Sequence, residues 1–294
     1  MEHDSVATGR QKRAVGTRSG VSCWLRCCAS PRICELIPNV RIISVPALKA
    51  SGVHKAISPS SEVLSISSDA IKMAPEYELW TYYRSSCSAR VRIAAHWKGI
   101  ELKYKYIHLL KNEQQASDYV DKYNPSKTVP TLVVREDGKE YLIRQSVSIL
   151  EYLEEVHPEL PRLLPSTADP VARAKVRDLV NIVACDLQPV TNLRILNRIR
   201  PLGVAAENWQ QEFMGAGLEA YEKVASLTSG KFSVGEEVTM ADVVLVPAVD
   251  GALRFKVDMA QYPTIMRIYE EAQKLEAFNR GSWKTQPDTP EELR

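Results

Sequence analysis

From residue 77 onward the chain alternates between short apolar runs and longer segments with helical spacing. Residues 77–83 are apolar and aromatic and predict a strand. Residues 86–98 carry Val91, Ala94, Ala95 and Trp97 on one side of a helix that should stop at Gly99. A second strand is expected at 104–108, its aromatic and β-branched content diluted by Lys105, and a short helix at 113–123, halted by Asn124-Pro125. Residues 131–134 and 141–144 flank Glu136-Asp137-Gly138, a hairpin signal. Residues 146–157 close the unit as a helix, with Val147, Leu150 and Leu153 at helical spacing.

The order β-α-β-α-β-β-α over about eighty residues is that of an α/β thioredoxin-like domain. A connector with Pro158, Pro161 and Pro165 follows, and the pattern is then helical throughout. Asp169-Pro170 supplies an N-cap and a first-turn proline for one long helix running to 199. Residues 205–228 predict a second helix. Thr239-x-x-Asp242 resembles a capping box opening a third, and 262–276, with Pro263 in its first turn, the last. The expected organisation is an extension over 1–72, a thioredoxin-like domain over 73–160 and an all-α domain over 167–294.

Residues 1–72 are different in kind, with Ser- and Ala-rich stretches and no sustained period. They hold ten Lys/Arg against five Asp/Glu, whereas the remainder holds 28 against 31. A mildly acidic body argues against nucleic acid as a partner. The basic extension reads as a disordered tail or an upstream gene-model extension. A mitochondrial transit peptide is the alternative, suited by Arg10, Lys12, Arg13, Arg18 and Arg26 but not by Glu2 and Asp4. No stretch approaches a membrane span, so no membrane partner is expected. Cys23, Cys27, Cys28 and Cys34 lie in the extension at a spacing that fits no common zinc module. Cys87 and Cys185 alone remain in the body, which suggests a reducing compartment, the cytoplasm if 1–72 is not a transit peptide.

The chemistry begins where the first strand meets the first helix, at Arg84-Ser-Ser-Cys-Ser-Ala-Arg-Val-Arg-Ile-Ala94. Free N–H groups and the positive end of the helix dipole favour an anionic sulfur there, either that of Cys87 or that of a bound thiol. Val129-Pro130 precedes a strand at the place where such folds put a cis proline, which presents the Val129 backbone to an extended peptide. Gln145-Ser146 sits at a helix N-terminus suited to a carboxylate.

These motifs, with Asn124-Pro-x-x-x-Val-Pro-Thr131, Gln145-Ser-x-x-Ile149, Gln188-Pro-x-x-Asn192-Leu, Val238-Thr-Met-Ala-Asp242, Arg254-Phe-Lys-Val-Asp258 and Gln286-Pro-Asp-Thr-Pro290, resemble the zeta-class glutathione transferases. That family includes maleylacetoacetate isomerase. The resemblance starts at residue 77 and leaves 1–72 outside. It implies a glutathione transferase fold, glutathione as cofactor and a homodimer. The activity implied is cis-trans isomerisation of maleylacetoacetate to fumarylacetoacetate in phenylalanine and tyrosine catabolism, with glutathione transferase activity beside it. The thiolate would add to the cis bond, allow rotation and leave again.

By the same resemblance Ser85, then Ser86, holds the thiolate, and Cys87 assists. Gln115, Val129, Pro130, Gln145, Ser146, Gln188 and Asn192 bind glutathione. Arg84 and Arg254 bind the carboxylates of the small-molecule dicarboxylate substrate. Ala89 stands where the family usually has an aromatic residue, and Arg90 and Arg92 are expected to be structural or solvated. Two other readings stay open: a monothiol glutathione-dependent reductase using Cys87, and a transferase-like binding module without activity.

Overall fold

The computed structural model describes residues 74–294, all within one compact unit spanning Ile66–Arg294. The expectations for 1–72, including those for Cys23, Cys27, Cys28 and Cys34, lie outside the described residues.

A four-stranded sheet is built from β1 (Glu76–Thr81), β2 (Lys103–Tyr106), β3 (Thr131–Glu136) and β4 (Lys139–Arg144) in the order β2-β1-β3-β4. β1 runs parallel to β2 and antiparallel to β3, and β3 pairs antiparallel with β4. The period-2 pattern puts Tyr77 and Leu79 of β1 on the same face as Leu132 and Val134 of β3, and Leu79 faces Leu132 in register. Helices α1 (Ser86–Lys98) and α3 (Ser146–Val156) cover that face with Val91, Ala95, Ile149 and Leu153. The hairpin turn is made by Asp137 and Gly138, both at positive φ, as a two-residue turn matching strand twist requires.

The boundaries of α1 are the expected ones. Ser85 caps its start, and Gly99 ends it in the left-handed region at φ 71, returning its N–H to the carbonyls of Ala95 and His96. The other face of α1 enters the second, larger core through Ile93 and Ala94. There α8 (Met240–Arg254) and α10 (Glu276–Gly281) pack on it. The crossing with α10 is close because of Gly281: a Cβ there would stand 2.5–2.9 Å from Ile93.

Several expectations are corrected. β1 ends at Thr81, because the carbonyls of Tyr82 and Tyr83 are drawn to Arg92 instead of to a neighbouring strand. Residues 113–123 are not one helix: a 3-10 turn at Glu113–Gln115 precedes the short α2 (Ser117–Lys122), and Ala116 is extended between them.

The long helix expected up to 199 is broken. It starts as α4 (Pro170–Asn181), with Asp169 Oδ1 accepting from the Ala172 N–H at 2.9 Å. It then widens into a π turn, Ile182–Leu187, before the single turn α5 (Gln188–Val190). Pro189 has no N–H to give a carbonyl one turn back, so the regular ladder cannot pass through it. Asn192, extended at φ −68 and ψ 148, recaps the chain by accepting from Arg194 N–H at 3.0 Å, and α6 (Leu193–Ile199) departs afresh.

Helix α7 (Ala206–Ala225) follows, and α8 opens with the expected capping box. Asp242 accepts from the Thr239 N–H and Oγ1 and from the Ser233 N–H, at 2.8–3.0 Å. The helix expected at 262–276 is α9 (Pro263–Gln273), and it is not the last. Leu275 is extended and turns into the core, separating α9 from α10.

Candidate active site

The β1–α1 junction is held by buried polar groups. Arg92, fully buried, donates through Nε to the Gly281 carbonyl at 3.1 Å. It also donates through Nη1 to Thr81 Oγ1 at 3.0 Å and through Nη2 to the Tyr83 carbonyl at 3.1 Å. Burial pushes its guanidinium down to about 10, which leaves it charged at neutral pH. From the far end of the chain, Asp288 Oδ2 accepts from the Tyr83 N–H at 2.8 Å. Arg92 is therefore the structural residue expected.

This frame aims the first turn of α1. Ser85 Oγ accepts from the Ser88 N–H at 3.2 Å, which uses a lone pair and leaves the O–H free to donate. A thiolate placed there gains that hydrogen bond and the field of the helix N-terminus, and both lower a thiol pKa. Ser85, Ser86 and Cys87 are half-buried.

Two cavities meet at Ser85. One, of about 420 Å³, is lined by Ser85, Cys87, Gln115, Val129, Gln188 and Asn192. The other, of about 410 Å³, is lined by Ser85, Ser86, Arg84, Gln188, Asn192 and Arg254. Most of the sequence-predicted residues are thus brought together around Ser85. Pro130, Gln145 and Ser146 line neither cavity. The Val129–Pro130 bond is cis, as expected. Gln145 is exposed at φ 69, and the buried Ser146 Oγ accepts from Arg90 Nη1 at 3.0 Å.

Glutathione needs donors for two carboxylates, backbone pairing for its cysteinyl part and a place for its sulfur. The first cavity fits that set. Its lining adds the cations Lys127, Arg194 and Arg198 to the Ser85 hydroxyl and the Val129 backbone. Gln114, also in the lining, has a buried Oε1 without a hydrogen-bond partner among the described residues. Gln115, in the same lining, is exposed and donates to Asn112 Oδ1 at 3.1 Å. The sequence motifs named Gln115 and passed over Gln114 beside it, because a 3-10 turn has no periodic signature to single out either one.

The second cavity is cationic. Arg84, Arg90, Arg200 and Arg254 line it against one carboxylate, Asp250. Arg254 lies over the Phe255 ring at 4.9 Å, and its guanidinium is lowered by burial and then by the like charge of Arg84. An anion between them would relieve both effects. Asp250 is raised by burial and accepts from Tyr269 Oη at 2.7 Å. Arg90, expected to be structural or solvated, is 2% exposed, lines this cavity, and has no partner for Nε or Nη2 among the described residues. Asp250, Arg200 and Gln210, also in the lining, were not foreseen. They lie on helices whose polar residues look like ordinary surface positions until packing turns them inward. Among the described residues no cluster of His, Cys, Asp and Glu could hold a metal ion.

A thioredoxin-like layer that points a helix N-terminus at a thiol site, with a helical layer walling an acceptor cavity beside it, defines a glutathione-dependent transferase class. The family descriptions agree: "Glutathione S-transferase, N-terminal domain" matches residues 84–156 and "Glutathione S-transferase, C-terminal domain" matches 203–279. The chain is 49% identical over 223 residues to a maleylacetoacetate isomerase of Aspergillus fumigatus, covering 75% of this chain and 96% of that one. Among solved structures, maleylacetoacetate isomerase from Anaeromyxobacter dehalogenans with bound GSH in the active site is 38% identical, with TM-score 0.68, covering 74% of this chain and 99% of that one. A bacterial zeta-class maleyl pyruvate isomerase is 36% identical, with TM-score 0.67, covering 72% and 100%. The chain belongs to the zeta-class glutathione transferases, the family of the maleylacetoacetate isomerases.

Proposed function

We infer that this chain is a glutathione-dependent isomerase that converts maleylacetoacetate to fumarylacetoacetate. The observation that carries the reading is the position of Ser85, which lines both a peptide-sized cavity and a cationic one. A reaction that brings a thiolate onto an anionic acceptor requires that junction.

Glutathione, when bound, supplies a thiolate whose reversible addition to the cis double bond frees rotation about it. The chain supplies the rest. Ser85 Oγ–H and the α1 N-terminus hold the sulfur anionic. The Val129 backbone, Gln114, Gln188 and Asn192 orient the tripeptide, with Lys127, Arg194 and Arg198 available to its carboxylates. Arg84 and Arg254 hold the two carboxylates of the acceptor and stabilise charge that develops between them. Arg90 ties the acceptor cavity to the N-terminus of α3, since it lines that cavity and donates to Ser146 Oγ. Gln145 and Ser146 enter this reading through that link, at the N-terminus of α3.

In the same reading the enzyme serves phenylalanine and tyrosine catabolism and works as a homodimer in the cytoplasm. The dimer rests on the family. The compartment is supported by the free thiols Cys87 and Cys185.

The test is turnover of maleylacetoacetate with and without glutathione. Many substrate equivalents should isomerise per glutathione with no loss of free thiol. Stoichiometric thiol consumption would point to conjugation or to the monothiol reductase reading, and absence of turnover would leave a binding module.

A further inference from the structure

One buried group of the acceptor cavity has no part in the chemistry above. Gln210, on α7, is 1% exposed and lines the cavity beside Met214. Its Nε2 donates to the Thr191 carbonyl at 2.7 Å. That bond fixes the carboxamide orientation, because only the nitrogen end can donate to a carbonyl. Oε1 is therefore the end left over, and it has no hydrogen-bond partner among the described residues.

The surroundings decide what could satisfy it. Arg84, Arg90, Arg200 and Arg254 offer donors for carboxylates and developing negative charge. Gln210 Oε1 does the opposite: it repels a carboxylate or ketone oxygen and needs a ligand O–H or N–H. The lining carboxylate of Asp250 already takes the Tyr269 hydroxyl. A cis-enoic acid with a single ketone carries no donor at neutral pH. A 1,3-dicarbonyl does, because it enolises and holds an O–H between its two oxygens, where the proton can be shared with a third acceptor.

We propose that Gln210 is a specificity-determining residue that accepts a hydrogen bond from the enolic O–H of a 1,3-dicarbonyl acceptor. The site thereby distinguishes such acids from otherwise similar cis-enoic acids. The substrate class follows from the isomerase reading, and the proposal deepens it.

The test uses binding, so that it does not depend on isomerisation. With glutathione saturating, titration calorimetry compares 2,4-dioxopentanoate, an enolised 1,3-dicarbonyl acid, with 4-oxopentanoate, which has the same chain length and carboxylate but one ketone. The protein should prefer the first by about tenfold, the effect of one good hydrogen bond. In Gln210→Leu the preference should fall to about twofold or less, with KM for maleylacetoacetate raised and kcat little changed. Equal binding of the two acids by the unaltered protein, or a preference that survives in Gln210→Leu, overturns the proposal, and the first comparison needs no variant. Gln188 and Asn192 flank Thr191 in sequence and border the glutathione cavity. Weakened glutathione binding in Gln210→Leu would therefore assign Gln210 to holding that chain break, and would also overturn it. Absence of maleylacetoacetate turnover by the unaltered protein would remove the isomerase reading while the diketone preference was still read directly.

Discussion

At the scale of single residues, Ser85 has one hydrogen bond accepted and one to give. One lone pair is committed to the Ser88 N–H, so removing the side chain costs the helix cap and, in the proposed mechanism, the thiolate donor as well. Ser85→Ala should lower kcat/KM for isomerisation by the roughly 1.5–3 kcal/mol of a hydrogen bond to a charged group. Cys87→Ala should cost far less, since Cys87 borders only the glutathione side. Steady-state kinetics of the two variants checks the order, and a reversed order supports the monothiol reading. Arg254→Leu should raise KM for the dicarboxylate by roughly 2–5 kcal/mol in equivalent binding energy, because it leaves one carboxylate unpaired. Arg254→Lys should recover part, as a point charge replaces a planar fork. Glutathione affinity should be unchanged in both, which varying the two ligands independently would show. The residues legible from sequence were those in short motifs at element ends, Ser85 and Val129 among them. Gln114, Arg90 and Gln210 were not, because the direction of a side chain on a helix or tight turn is set by partners far along the chain.

At the scale of elements, start and stop signals located α1 to the residue, and Asp169-Pro170 located the start of α4. The failures have a common cause. Pro189 is tolerated early in a helix and disruptive within one, and local sequence does not say which applies. Asn192 resolved the matter by recapping the chain, and the break brings Thr191 to Gln210. The capping box of α8 was legible, but its burial was not. Asp242 is fully buried and also holds the Ser233 N–H, from the loop before α8. Asp242→Ala should therefore destabilise by about 2–4 kcal/mol in urea unfolding, more than an exposed cap, because two buried N–H groups lose their acceptor. Burial also raises the Asp242 carboxyl above its ordinary value of 3.8. The folded protein thus holds this proton more tightly than the unfolded chain does. The resulting stability is complete below pH 3.8 and is lost as pH rises through the raised folded value. Asp242→Asn should flatten that part of the stability profile, as measured by urea unfolding across the acidic range.

At the scale of the whole molecule, the order of strands and helices was enough to name the architecture, since a β-α-β-α-β-β-α unit before an all-helical segment has few physical solutions. The cleft was less legible, because its walls come from α1, the α4–α6 break, α7 and α8, which only packing brings together. The relative from Aspergillus fumigatus is covered over 96% of its length by 75% of this chain. A chain that starts at Met73 should accordingly melt in one cooperative transition and keep full isomerase activity, as calorimetry and the glutathione-dependent assay would show. The same wiring has a consequence for how the enzyme is born. Tyr83 N–H, two residues before Ser85, is held by Asp288, 205 positions further on. A ribosome adding roughly 5–20 residues per second makes the first of these about 10–40 s before the second. The β1–α1 junction is thus among the earliest parts of the fold to be synthesised and among the last to be fastened. Its final clasp closes only when Asp288 has left the exit tunnel, so a chain terminated before that residue carries the Ser85 motif without the clasp.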